Sequence, residues 1–206
     1  MDNSLPKVAL LAIGLTGYSV VAAQDDAKSL PISLDADSSS FDRKTNLVHF
    51  SGLVISQGDL RIEADEAVAT GLDFEQSEWR FTGRIRIVVD SAVLESDSAV
   101  FTFEAHQLAT AELEGRPASF TDLTPDREEP ARGSANKLSY DYAERILRMS
   151  ESAWVTKGPN EIRGCDLIYD FNEERVTSGS SDCGEPFRIT ILPRPEQTAT
   201  DSTSNP

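Results

Sequence analysis

A short strand-like phrase centred on Asp or Asn returns four times along this chain, and it constrains the fold more than any other feature. The central residues are Asp65, Asp97, Asn136 and Asp166, at steps of 32, 39 and 30 residues. A period in this range is typical of stacked architectures, in which one unit cannot bury its apolar face without its neighbours. The function is therefore expected to depend on a whole elongated surface rather than on a catalytic cluster.

Between these phrases, apolar and polar residues alternate as they do in β-strands. Val48, Phe50 and Val54 fall on one parity around Gly52, and a second alternating run covers residues 79–89. Turn-forming residues recur about every 8 to 12 positions, the spacing of an all-β sandwich, barrel or roll. No stretch holds a convincing helical stripe. The sequence therefore predicts an all-β protein of stacked antiparallel strands.

The amino-terminal residues have the composition of an export signal. Lys7 precedes a run of small and apolar residues, and the small residues before Gln24 predict cleavage between Ala23 and Gln24. The run is shorter than the roughly 20 apolar residues that a spanning helix needs. An uncleaved membrane anchor is the alternative. A periplasmic location follows if the signal is removed.

The rest of the chain divides simply. Residues 24–193 are expected to form one domain, since this length suits one core and is short for two. Residues 194–206 are rich in Pro, Ser, Thr, Asn and Asp and have no apolar face to bury, so they are expected to be disordered. The formal net charge of −16 excludes nucleic acid as a partner, because phosphates need a basic surface.

Two cysteines, Cys165 and Cys183, lie in the last quarter of the chain. An even number of cysteines in an exported protein suggests a disulfide. A turn at residues 172–175 is centred almost midway between them, so an antiparallel hairpin brings them nearly opposite each other. We therefore predict a Cys165–Cys183 disulfide. No metal site is expected, because the two histidines, His49 and His106, are distant from the thiols.

Catalytic patterns are weak throughout the sequence. Glu63 and Asp65 share one face of a strand, and paired acids can hydrolyse glycosides. These two belong to the repeated phrase, however, which favours solvation of strand ends over catalysis. No G-x-S-x-G elbow or phosphate-binding loop is present. The sequence predicts neither an enzyme nor a cofactor.

An open stack of strands has a physical problem at its two ends. Each end exposes unpaired backbone N–H and C=O groups, which natural proteins block unless they use them to pair with another chain. A stack that folds as a roll also has an apolar interior wide enough for acyl chains. Both properties suit an exported protein without chemistry of its own.

Several segments, taken in order, resemble the OstA-like family of lipopolysaccharide transport proteins. The first three are L-P-I-S-L-D-A-D at residues 30–37, F-S-G-L-V-I-S-Q-G at residues 50–58 and L-R-I-E-A-D at residues 60–65. Residues 133–141 and 164–170 resemble the downstream repeats of the family. The resemblance covers about residues 30–188. It implies an elongated β-jellyroll that is open at both ends, holds lipid in its apolar interior and carries lipopolysaccharide between the inner and outer membranes.

The resemblance also implies partners and a binding surface. The expected partners are lipopolysaccharide through its lipid A, an LptC-like protein at the inner membrane, an LptD-like protein at the outer membrane, and further copies joined head to tail. A membrane-tethered, LptC-like adaptor or scaffold is the alternative function. The residues expected to line the lipid-binding interior are Val48, Phe50, Val54, Ile62, Ile85, Ile87, Phe101, Phe103, Leu138, Tyr140, Trp154 and Ile168. Arg84, Arg86 and Lys137 are weaker candidates for contacts with head-group phosphates.

Overall fold

The computed structural model describes residues 30–72, 74–124, 129–179 and 186–191. The predicted signal peptide with its Ala23–Gln24 cleavage site, Cys183 and the carboxy-terminal tail lie outside the described residues. All regular elements in the described residues are strands: β1 Ser33–Asp35, β2 Ser38–Asp42, β3 Leu47–Gln57, β4 Leu60–Ala69, β5 Gln76–Val89, β6 Ala92–Glu104, β7 Gln107–Asp122, β8 Arg132–Asp141, β9 Ile146–Lys157, β10 Asn160–Asp170, β11 Arg175–Ser178 and β12 Arg188–Thr190. Among these residues, no helix has the length and apolar character to cross a membrane.

The strands form one 12-stranded antiparallel sheet that does not close into a barrel. From β3 to β10 each strand pairs with the strands before and after it in the sequence, so the sheet is a stack of hairpins. The short strands β1 and β2 both pair with β3, and β11 and β12 both pair with β10. The predicted all-β jellyroll of stacked antiparallel strands is confirmed.

Every long strand is interrupted near its middle, and the interruptions line up across the sheet. Register shifts occur in each pairing from β4–β5 to β9–β10, and Gly52 and Asp65 are left out of the β3–β4 ladder. This line, called the crease below, crosses the strands at Gly52, Asp65, Gly83, Asp97, Gly115, Asn136, Glu151 and Cys165. Bulges increase local bending and twist, so the sheet folds over on itself along the crease.

The repeated phrase is the part of the even-numbered strands that lies at the crease. Its Asp or Asn is preceded in each case by a small residue that is at most 9% exposed; these residues are Ala64, Ser96, Ala135 and Cys165. Small inner side chains let the two halves of the sheet approach each other at the bend. Because the phrase occurs once in each even-numbered strand from β4 to β10, the spacing of the repeats in the sequence equals the length of one hairpin.

The odd-numbered strands pass through the crease in a different backbone conformation, which is clearest at Gly83. Gly83 has a φ of +92°, and a Cβ atom there would lie 2.5 Å from the Cβ of Asp65. Asp65 in turn accepts a hydrogen bond from the backbone N–H of Arg84 at 3.0 Å. The carboxylate of one strand thus takes the place of a ladder bond that the bulge has removed from the next.

Folding along the crease brings the two rows of strand-end turns together, along a line called the seam below. The side-chain amide of Gln57 donates a hydrogen bond to the carbonyl oxygen of His106 at 2.9 Å. The Nε of Arg145 lies 3.6 Å from a carboxylate oxygen of Asp90. Each contact joins a turn that follows an odd-numbered strand to a turn that follows an even-numbered one. The sheet is therefore a roll around a single apolar core.

Cys165 is disulfide-bonded. Cys183 is the only other cysteine in the sequence, but it lies outside the described residues, so the pairing stays a prediction. Labelling the urea-denatured protein with a thiol reagent, without reductant, is expected to modify neither cysteine. Two labelled thiols per chain would show that the prediction is wrong.

The crease can be tested by adding a single methyl group. Gly83→Ala is expected to lower the free energy of unfolding by about 1–3 kcal/mol, because alanine is strained at this positive φ and its Cβ collides with Asp65. Gly164→Ala is the matched control, since its added Cβ would lie no closer than 3.3 Å to a neighbouring atom. Urea unfolding of both variants measures the difference. An equal loss in the two variants would contradict the role of Gly83.

Candidate functional site

The inner face of the roll is predominantly apolar. Of the residues expected to line it, eight are buried in the core: Val48, Ile62, Ile85, Ile87, Phe101, Phe103, Leu138 and Tyr140. Phe50 is partly buried and packs against the same core. The structure thus brings nine of the twelve predicted residues together on one continuous surface.

Three of the twelve expected inner positions are wrong. Val54, Trp154 and Ile168 lie on the outer face, while their neighbours Leu53, Ile55, Ala153, Val155, Leu167 and Tyr169 are buried in the core. The cause is the crease, because a bulge adds a residue and exchanges the faces to which odd and even positions point. A single parity that runs through Gly52, from Phe50 to Val54, therefore does not hold in the structure.

In the amino-terminal half, the interior is filled by stacked aromatic rings. The ring centroids of Phe50 and Trp79 lie 5.6 Å apart, and those of Phe81 and Phe101 lie 4.5 Å apart. Phe74, which the sequence analysis missed, packs between Trp79 and Phe103 at 5.0 and 4.9 Å. It belongs to a turn rather than a strand, so no alternating pattern includes it. These contacts are typical of favourable aromatic pairs.

In the carboxy-terminal half, a buried acid crosses the interior. Asp122 is fully buried and accepts a hydrogen bond from the hydroxyl of Tyr169 at 2.8 Å. It also accepts hydrogen bonds from the backbone and side chain of Thr124. These bonds satisfy a carboxylate that is costly to bury alone. The pair ties the end of β7 to β10 across the roll, beside the rings of Phe120 and Phe171.

The two ends of the interior are open to solvent. At the β1–β2 end, the side chains of Leu30, Leu34 and Phe41 are 46%, 37% and 56% exposed. Leu34 is opposite Ile55 and Phe41 is opposite Val48, so both belong to the inner face. These residues form one mouth of the roll.

The other mouth lies at β12. Phe187, Ile189 and Ile191 are 45%, 53% and 71% exposed. Ile189 is opposite Ile162, which packs against the core. Large apolar side chains are thus exposed mainly where the inner face reaches an end of the stack, and such exposure is typical of binding surfaces.

The cations suggested for head-group contacts lie on the outer side of the crease and already have anionic partners. Arg84 binds both carboxylate oxygens of Asp65, and this guanidinium lowers the pKa of Asp65. Arg86 lies 3.7 Å from Glu95. Lys137 lies between Glu114 and Glu151, at 3.8 and 3.1 Å, and the latter raises the pKa of Lys137. Their exposed positions and paired charges do not favour phosphate binding.

Within the described ranges, no group of three or more His, Cys, Asp or Glu residues is arranged to hold a metal ion. His49 lies on β3 and His106 in the turn after β6. The described part of the chain thus has an apolar interior, two mouths and, at each end of the stack, an edge that pairs with no other described strand.

Comparison with known proteins gives consistent results. The family model described as LptA/(LptD N-terminal domain) LPS transport protein matches residues 66–175, which is more than half of the 206-residue chain. The chain is 24% identical over 186 residues to the lipopolysaccharide export system protein LptA of Escherichia coli (strain K12), covering 90% of this chain and 81% of that protein. It is 27% identical over 113 residues to LptA of Haemophilus influenzae, covering 53% and 65% of the two chains.

Among solved structures, the chain is similar to LptH of Pseudomonas aeruginosa, described as the LptA homologous periplasmic component of the lipopolysaccharide transport device. The match has 16% identity and a TM-score of 0.43, and it covers 81% of this chain and 99% of that one.

The buried acid provides a test of how the interior is held together. Tyr169→Phe is expected to lower the free energy of unfolding by about 1–3 kcal/mol, because Asp122 loses a hydrogen-bond donor that water cannot replace. Tyr142→Phe is the matched control, since its hydroxyl makes no hydrogen bond to a described residue. Urea denaturation of both variants measures the effect. A Tyr169→Phe variant as stable as the native protein would contradict this role.

Proposed function

The chain belongs to the LptA/LptD N-terminal-domain family of lipopolysaccharide transport proteins, and from this premise we propose that it is a periplasmic carrier of lipopolysaccharide. The acyl chains of the lipid occupy the apolar interior, and the lipid moves through it from the inner towards the outer membrane. Proteins of this family are transport proteins and not enzymes.

The observation that carries the proposal is the continuity of the inner face from mouth to mouth. Leu34 and Ile55 at one end belong to the same surface as Phe103 and Leu138 in the middle and Ile189 at the other end. Each acyl methylene removed from water on such a surface contributes about 0.8 kcal/mol. A few chains therefore supply more free energy than the polar contacts along the crease, and the specificity for the tails is loose.

Binding requires the packed interior to open. The aromatic pairs in the middle of the roll are in contact, with centroids 4.5 to 6.2 Å apart, so acyl chains replace ring–ring contacts with ring–chain contacts. The seam is the side that can separate, because its polar contacts join turns rather than paired strands. Separation there breaks contacts such as Asp90–Arg145 and leaves every strand ladder intact.

Edge-to-edge assembly follows from the ends of the sheet. The outer edges of β1 and β2, and those of β11 and β12, pair with no other described strand. Strand addition is the usual use of such edges. On this basis one end meets an LptC-like protein at the inner membrane and the other an LptD-like protein at the outer membrane, with further copies between them. The acidic charge of the chain does not interfere, since the interior contains few charged groups.

A membrane-tethered adaptor of the LptC kind is the second candidate. One observation favours it: the interior is already filled by its own side chains, as expected of a scaffold that joins partner sheets without carrying lipid. An amino terminus that stays uncleaved in the membrane fraction supports the adaptor, and a mature protein that starts at Gln24 supports the carrier.

The carrier is tested by photocrosslinking in cells. A photoreactive amino acid at Phe50 or Phe103, on the inner face, is expected to capture lipopolysaccharide, detected as a glycolipid-bearing band. Val54 and Ile168 are the matched controls, because they are apolar positions of β3 and β10 on the outer face. The same photoreactive residue there is expected to capture no glycolipid. Equal capture at inner and outer positions, or capture of protein alone at the inner ones, would contradict the proposal.

A further inference from the structure

The two end layers of the sheet run in opposite directions along the stack. β1 and β2 run antiparallel to β3 in a common register, in which Asp35 is opposite Val54 and Asp42 is opposite Leu47. β11 and β12 run antiparallel to β10. If the β1–β2 layer of a second copy is laid beside β11 and β12, with crease next to crease, it runs antiparallel to them. The alternation of the sheet then continues across the junction.

The charges of the two layers are complementary. Strands β1 and β2 contain Asp35 and Asp42 and no Lys or Arg, whereas β11 and β12 contain Arg175 and Arg188 and no Asp or Glu. The basic layer stands out in a chain whose net charge is −16. Opposite charges on neighbouring strands stabilise a pairing, and like charges directly opposite each other destabilise it.

One register satisfies both charge pairs at once. Arg188 lies opposite Arg163 of β10 and Arg175 lies opposite Asp170, so the two arginines are seven positions apart along β10. Asp35 and Asp42 are also seven residues apart, on strands that share one register along β3. Placing Asp35 beside Arg188 therefore places Asp42 beside Arg175.

We propose that a second copy of this chain docks its β1–β2 layer onto the β11–β12 edge in the register that sets Asp35 opposite Arg188 and Asp42 opposite Arg175. This inference rests on the proposed edge-to-edge assembly and adds to it the alignment and the charges that select which end meets which. Two like ends in contact bring together two acidic layers or two basic layers, so the charges disfavour head-to-head and tail-to-tail pairs.

The same register joins the two mouths. It sets Leu34 opposite Ile189 and Phe41 opposite Val176. All four belong to the inner face, because they lie opposite Ile55, Ile162, Val48 and Tyr169 of the adjoining strands. The exposed apolar side chains of one mouth thus cover those of the next copy. A neighbouring register, shifted by one residue, turns these side chains to the outer face and loses both charge pairs.

The groups are free to exchange partners on docking. Arg188 makes no ion pair within the described part of the chain, and it lies opposite another arginine, Arg163, whose own partner is Glu161. Arg175 contacts Glu173 of its own turn at 2.7 Å, on the surface. The backbone N–H of Lys44 lowers the pKa of Asp42, which keeps this carboxylate ionised at neutral pH.

The test uses charge reversal in the full mature chain, with self-association measured by analytical ultracentrifugation at low salt. Arg188→Asp alone and Asp35→Arg alone are each expected to weaken association by about tenfold, because an attraction becomes a repulsion. An equimolar mixture of the two variants is expected to regain association, since every junction between one variant and the other pairs one Asp with one Arg. The Asp35→Arg/Arg188→Asp double variant is expected to do the same.

Arg148→Asp, an exposed change on the outer face of β9, is the matched control and is expected to leave association unchanged. Equal urea midpoints for all variants show that folding is unaffected. If the single variants weaken association but the mixture stays weak, this register is wrong while edge-to-edge assembly stands. If the native chain does not associate but captures glycolipid at Phe103, the inference fails and the carrier stands.

Discussion

The bend of every strand at the crease is the constraint on which the rest of the molecule depends. A flat antiparallel stack of this length exposes both faces and has no interior. The bulges turn its inner face against itself and create one core from residues that are far apart in each strand. Small residues such as Ala64 and Ala135 allow the close approach, and carboxylates such as Asp65 replace the ladder bonds that the bulges remove. The fold therefore results from the same local feature, a bend at the crease, in each long strand.

A core made in this way differs from that of a closed barrel. The two rows of turns meet at the seam through side-chain contacts such as Gln57 with His106 and Asp90 with Arg145, and no backbone ladder joins the described strands along that side. The outer edges of the described end strands have no ladder either. Stability comes from the hairpin ladders and the apolar core, and the seam and the mouths are the places where the structure can change at little cost. These are the places that a lipid and a partner strand require.

Much of this architecture could be predicted from the sequence. The hairpin period, the all-β class and most inner positions follow from alternation and from the repeated phrase, because each repeat places the same chemistry at the same point of a strand. The family follows from the order of weak motifs such as those around Gly52 and Asp65. The exchange of inner and outer positions at the crease could not be predicted from the sequence. This exchange places Val54, Trp154 and Ile168 on the outer face. A positive φ and a bulge act over two or three residues and leave no alternating signal.

Other features could not be read from the sequence for different reasons. Phe74 enters the core from a turn, and the buried Asp122 accepts a hydrogen bond from Tyr169, which is distant in sequence. Such contacts depend on which strands and turns come together across the roll after folding. The complementary charges of the end layers are visible in the sequence once the strands are known. Their common spacing of seven positions becomes meaningful only with the register along β3 and β10.

The central claim is that the apolar interior holds acyl chains. Native mass spectrometry of the full chain, exported and purified from the periplasm without detergent, tests it most directly. The account predicts a population of protein that carries a bound glycolipid whose released mass matches lipopolysaccharide. Protein that is entirely free of lipid, and that stays so after incubation with purified lipopolysaccharide, would contradict it.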